Sequence, residues 1–224
     1  NVLLDAMDVL LLRVDPADPR RYRIGERWFA MERDELRIKL PKGREVSIPL
    51  HRTVHGPVIT AVERGIEAVA VLQWYGTLPE DRQVDRSFSV LPAFLRASKA
   101  ADIIEAGRSC SWISQNFLAA DADGHIAWQA TGAAPVRDGY SGRLPGDGSA
   151  GADWKGFLPY DEMPHLFDPP EGFIVTANNK STDERSSHPL GHYWAGPYRF
   201  QRITALLRGM TSPTLEDFRR LQAD

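Results

Sequence analysis

A single cysteine, Cys110, stands in the whole 224-residue sequence. One thiol closes no intramolecular disulfide and builds no zinc site made mainly of thiolates, and alone it reads as a small buried side chain rather than a nucleophile. A basic excess is missing too. The 27 Lys and Arg stand against 30 Asp and Glu, a net charge of −3 with no basic run, which argues against a nucleic-acid partner. No apolar run approaches the ~20 residues needed to cross a bilayer, and no stretch has the form of a signal peptide. What is present is ordinary: 42% hydrophobic and 25% charged residues, enough to bury a core. The sequence opens at Asn1 without Met and stops at Asp224 inside a helical pattern, so residues 1–224 read as a segment of a larger protein, cut at both ends.

Residues 1–13, NVLLDAMDVLLLR, read as a buried strand or a helix start that Asp5 and Asp8 break early. From Tyr22 to Trp74, short alternating segments punctuated by Gly, Pro and charged turns predict a β meander. Leu91 to Gly107 has apolar residues at helical spacing and ends on Gly, which predicts one helix. Asn116 to Gly132 predicts a hairpin turning at Asp121-Ala122-Asp123-Gly124. That DADG lacks the third ligand of a calcium loop, and Ala130 stands where the closing Glu would be. Residues 131–171, rich in Gly, Pro and Asp, predict a long ordered loop anchored by Trp154 and Phe157. Two helices are expected last, YRFQRITALLRG and one starting at Ser212-Pro213.

Between the 131–171 stretch and these helices lies GFIVTANNKS, Gly172 to Ser181. Phe173 to Thr176 have the β-branched and aromatic composition of a core strand, yet the stretch ends on two adjacent amides, Asn178 and Asn179. Taken alone, the pair is a structural turn or a polar site. The six His do not cluster at metal spacing. His51 and His55, on an expected strand without a third ligand, read as hydrogen-bonding structural residues.

Three dispersed stretches carry a likeness: HRTVHGPVI at 51–59, DWKGFLPYDEMPHLFDPPEGFIVTANNK at 153–180 and YWAGPYRFQRI at 193–203. Their order and spacing resemble the β-chain part of the penicillin amidase family of N-terminal-nucleophile hydrolases, over nearly the whole chain. The resemblance implies an α+β fold, part of a four-layer αββα sandwich. It implies hydrolysis, through an acyl-enzyme, of the amide between an acyl group and an amine, in small-molecule substrates of penicillin or acyl-homoserine lactone type. The family's nucleophile is a Ser at the first position of the β chain matured from its precursor, with its own α-amine as base. That position would lie upstream of Asn1, so the segment alone should be inactive.

By the same resemblance, Asn178 is the side-chain donor of the oxyanion hole, Asn1 gives a backbone N–H to the same oxygen, and Arg199 supports the nucleophile. A plainer reading makes Arg199 a helix-start residue paired with a carboxylate. The resemblance also implies a structural calcium held by Asp5, Asp8 and the carbonyls of Met7 and Gly142. A further Asp ligand would fall near His188 unless Asp183 takes its place. The implied partners are the α chain and the N-terminal part of the β chain, in a periplasmic or secreted parent, with a cytoplasmic one left open. Sheet edges uncovered in their absence would favour a homodimer of the segment. The competing reading is a β-rich, non-catalytic binding module in which the Asn pair caps a loop.

Overall fold

A computed structural model describes residues 2–78, 86–182 and 189–223. The chain divides into two units, each assembled from separated stretches. One takes residues 5–78 and 133–157, and the other residues 2–4, 86–132, 158–182 and 189–223.

The first unit begins with β1 (Met7–Arg13), β2 (Arg21–Ile24), β3 (Arg27–Ala30), β4 (Glu32–Lys39), β5 (Glu45–Thr53), β6 (Gly56–Pro57) and β7 (Ala68–Trp74). The opening run is a strand only from Met7, beyond Asp5, and Asp8 does not break it, because β1 carries Asp8 as an inward residue. A strand turns alternate side chains to one face, so Asp8, Leu10 and Leu12 are buried while Met7, Leu11 and Arg13 are exposed. β2–β3 is a hairpin closed at Gly25-Glu26, with Gly25 at φ 56 where a side chain would be strained. β4 and β5 form a long ribbon, paired from Glu32↔Arg52 to Lys39↔Glu45. β6 adds to β5 at Arg52↔Pro57 and Thr53↔Gly56, and an antiparallel bridge at Val58↔Val71 carries the expected meander on to β7. β7 also runs antiparallel to β1, from Met7↔Trp74 to Arg13↔Ala68. Val69 and Val71 thereby meet Leu12, Val14, Tyr22 and Met31 in one core. Each fully buried aliphatic side chain there contributes about 1.5–3 kcal/mol.

The Gly- and Pro-rich residues 131–171 are not one long loop. They hold β10 (Pro135–Asp138), β11 (Gly146–Asp147), β12 (Asp153–Phe157) and β13 (His165–Phe167). β11 adds to β1 in parallel, at Leu10↔Gly146, and β10 pairs with β12. Such short strands escape a compositional reading because their pairing partners, not their own residues, specify them. The two expected anchors do pack. Trp154 is buried with Tyr75, Leu78 and Ala133, and Phe157 meets both aromatic rings edge-on.

The second unit contains α1 (Val90–Arg96), α2 (Ala100–Gly107), β8 (Asn116–Ala120), β9 (Ile126–Ala130), β13, α3 (Tyr198–Arg208) and α4 (Leu215–Ala223). The single helix expected over 91–107 is broken in two. The Asp102 carboxylate accepts from the backbone N–H groups of Ser98 and Lys99 and from the Ser98 hydroxyl, capping a new start. The predicted hairpin forms as β8–β9, and Asp121 is consumed by its turn, accepting from the Asp123 and His125 N–H groups. β13 pairs with the other side of β9. α4 starts later than expected. Its cap is Thr214, in a reciprocal box with Asp217, and not Ser212.

The expected strand over Phe173–Thr176 is not one. These residues are half-buried, but none of the described strands pairs with them. Their side chains supply the apolar half of a strand, and the ladder needs a second backbone that the described residues do not provide.

Candidate functional site

The two amides of TANNKS are held in different ways. Asn178 has φ 57, the left-handed region that Asn tolerates better than most residues. Its carbonyl accepts from the Ala195 N–H at 2.9 Å, which ties the stretch to the segment leading into α3. Arg199, in the first turn of α3, then donates from one Nη2 to the Ala177 carbonyl at 2.9 Å and to Asn178 Oδ1 at 2.8 Å. A guanidinium has donors only, so it must face the oxygen of the amide. The Asn178 Nδ2 end is thereby turned the other way, as a short, neutral donor. Among the described residues, Arg199 bonds a carbonyl and an amide oxygen and no carboxylate, so the plainer helix-start pairing is not what it makes.

Asn179 closes a local turn instead. Its Oδ1 accepts from the Ala177 N–H at 3.0 Å, and its Nδ2 donates to the Lys180 carbonyl at 3.1 Å. A cleft of about 180 Å³ opens on this side, lined among others by Val175, Thr176, Asn179, Trp128, Leu166 and Phe200. Trp128 is fixed in its wall by an indole N–H donated to Asn116 Oδ1 at 2.8 Å. Asn178 does not line this cleft, so the apolar cavity lies beside the donor residue and not at it. Asn1, the expected backbone donor, lies outside the described residues, as do His188 and Asp183.

The residues expected to hold calcium do come together in the first unit, but around a side chain that sequence reasoning missed. Arg137 Nε donates to Asp8 Oδ2 at 2.8 Å and to Oδ1 at 3.1 Å, and its Nη2 donates to the Asp5 carbonyl at 2.8 Å. The Asp5 carboxylate stands 3.6 Å from the same nitrogen. Asp8 Oδ2 also accepts from the Tyr140 hydroxyl at 2.8 Å and from the Trp154 indole. Burial, and then the negative charge of Asp8, hold the Tyr140 phenol above its ordinary range, so it stays a donor.

Gly142 backs onto this group. A Cβ built there would lie 2.4 Å from Arg137 Nε and 2.9 Å from Asp8 Oδ1. Met7 takes the first pair of the β1–β7 ladder with its side chain exposed. Calcium needs six to eight oxygens at about 2.3–2.6 Å, and here the buried carboxylate is already surrounded by donors. The residues present do not fit the ion. No three His, Cys, Asp and Glu side chains gather elsewhere among the described residues.

Arg137 carried no sequence signal, being one basic residue in a loop-like stretch. A second polar group was equally hidden. Gln73, fully buried beside Asp8 in the ladder, donates to Asp153 Oδ1 at 2.6 Å, and His55 Nδ1 lies 3.4 Å from the same oxygen. His55 is in the turn after β5, not on one strand with His51.

A family model described as Penicillin amidase matches residues 1–224. The penicillin acylase 2 proenzyme of Pseudomonas sp. is 31% identical over 229 residues, covering 100% of this chain and 28% of its own length. Penicillin G acylase of Escherichia coli is 28% identical over 208 residues, covering 91% and 24%. The acyl-homoserine lactone acylase QuiP of Pseudomonas aeruginosa is 28% identical over 232 residues, covering 100% and 27%. The chain therefore spans about a quarter of the length of these curated relatives. Among solved structures, thermostable penicillin G acylase from Alcaligenes faecalis superposes with a TM-score of 0.83 at 21% identity, over 98% of this chain and 39% of that one. At that identity the likeness speaks to the fold, and it agrees with the α+β expectation.

Proposed function

This chain belongs to the penicillin amidase family, and we propose that it supplies the oxyanion-stabilising part of an acylase that cleaves the amide between an acyl group and an amine. The observation that carries this reading is the Arg199–Asn178 contact, which fixes the polarity of one amide at the end of an apolar stretch. When a nucleophile adds to a carbonyl, the oxygen gains a full charge, and a donor already aimed at it needs no reorganisation. Asn178 Nδ2–H would be that donor, joined by the backbone N–H of Asn1. The attacking group would be a Ser outside residues 1–224 whose own α-amine takes its proton. The collapse of the intermediate would release the amine and leave an acyl-enzyme for water to cleave.

The substrate class follows the names of the relatives, β-lactam amides of the penicillin type or acyl-homoserine lactones. The rest of the family framework, an α chain and the first part of the β chain, would complete the site in a periplasmic or secreted enzyme. In the active enzyme, Asn178→Ala should lower kcat by roughly 10²–10³ with little change in KM, since the donor meets the oxygen best after it becomes an anion. A variant turning over within about threefold of the parent, far from that loss, would return the Asn pair to the role of a turn.

A further inference from the structure

We propose that Arg137 is the resident cation of the Asp5–Asp8 site, taking the place of a divalent ion, so that the protein neither binds calcium there nor needs it to stay folded. The charges match locally. The Asp8 side chain is 1% exposed and the Arg137 side chain 7%, one buried anion against one buried cation. Asp5 keeps 24% of its side chain in water, with its carboxylate 3.6 Å from the same guanidinium.

The lone pairs are accounted for as well. Asp8 Oδ2 receives Arg137 Nε, the Tyr140 hydroxyl and the Trp154 indole, while Oδ1 receives Arg137 again. An ion entering here would have to expel three donors from one oxygen and part a buried guanidinium from its Asp8 carboxylate. Gly142 completes the enclosure. The position its Cβ would take is within 3 Å of both the guanidinium and the carboxylate, so the loop lies directly against the pair. A guanidinium also holds its partners differently from an ion. It is covalently part of β10, cannot be removed by a chelator, and ties the start of β1 to β10 at fixed geometry.

Terbium is a suitable probe, because Trp154 donates its indole N–H to Asp8 and would sensitise the luminescence of any lanthanide bound there. Titration of the purified protein with Tb³⁺ and with calcium, to about 1 mM, covers even the weak protein calcium sites. The expected result is no saturable signal, and a Tm that is the same in EDTA and in calcium. An ion at ten times its Kd would raise Tm by roughly 3–6 °C, so a shift of that size, or saturable Trp-sensitised binding that Asp8→Asn abolishes, would overturn the proposal. Arg137→Gln is expected to melt lower in EDTA and to recover part of the loss in calcium, since its removal opens the two carboxylates to a replacement cation. Parental melting of Arg137→Gln in EDTA would also overturn it. If that variant does not accumulate, the titration and the melts of the parent protein decide alone.

Discussion

If Arg199 acts on catalysis by holding the Asn178 amide, its effect must vanish when that amide is gone. Arg199→Ala removes the donor that faces Asn178 Oδ1 at 2.8 Å and leaves the amide able to turn its oxygen toward the reacting carbonyl. A hydrogen bond to a charged partner is worth about 1.5–3 kcal/mol when sheltered. Arg199 is an exposed residue, so about 1–2 kcal/mol is the appropriate scale, or a kcat about 5–30-fold lower. Asn178→Ala alone should cost 10²–10³-fold, about 2.7–4 kcal/mol. The double variant should then match Asn178→Ala within about threefold, because a residue acting through another adds nothing once that other is removed. Steady-state kcat and KM of the four enzymes on one acyl amide close the cycle, with Tm of each as a control for loop damage. A double variant a further tenfold slower than Asn178→Ala, with unchanged melting, would refute the reasoning and give Arg199 an independent role at the nucleophile.

Two other outcomes are expected. Asp8→Ala strands the Arg137 guanidinium in a buried site, a loss of about 3–5 kcal/mol, which for a chain of this size lowers Tm by about 6–20 °C. Melting within 2 °C of the parent, well short of that range, would mean that Asp8 is not a buried partner. The His125–Asp168 pair, 2.6 Å apart, should make the β8–β9 hairpin pH-sensitive. Its bond to Asp168 raises the His125 pKa, so that contribution is complete below the ordinary His value and is lost as pH rises through the raised one. The Ile126 N–H, then His125, lower the Asp168 pKa, so its contribution is complete above the ordinary Asp value and is lost as pH falls through the lowered one. Both are in force between about pH 4 and 6.5. Exchange of the Ile126 amide should be slowest there relative to its intrinsic rate, and Asp168→Asn should move the His125 titration down toward its ordinary position. An unchanged His125 titration in that variant would refute the coupling.

What the sequence made legible was local. The DADG turn needs only Gly124 at positive φ and an aspartate to gather N–H groups, and both are adjacent in the text. β7 falls within the short segments read as β, and α3 shows its helical spacing, whereas the alternation of β1 lies in its burial and not in its letters. What stayed hidden depends on a second piece of chain. The break between α1 and α2 turns on the direction of one side chain, Asp102. β12 and β13 are strands because β10 and β9 lie beside them. Phe173–Thr176 went the other way, a strand composition without a described partner. In the site, Asn178 was singled out by family resemblance and not by its neighbours, and its latch to Arg199 spans 21 residues. Arg137 lies 129 residues from Asp8, beyond the reach of any periodicity.

The origin of the partners of β1 has a consequence for how the protein is made. Its antiparallel neighbour arrives with residues 68–74, but the parallel neighbour and the counter-charge of Asp8 come only with residues 146–147 and 137. A ribosome adds about 5–20 residues per second, so Asp8 waits about 6–26 s between its own synthesis and that of Arg137. In that interval Leu10 and Leu12 have no flanking strand until residues 68–74 arrive and one flank covered afterwards, and the aspartate depends on water for its solvation. The unit closes from its late end, as expected of a topology dominated by distant contacts. A nascent chain halted between residues 78 and 133 would present a half-covered apolar strand with an unpaired acid in its middle, the kind of surface that chaperones hold and proteases find.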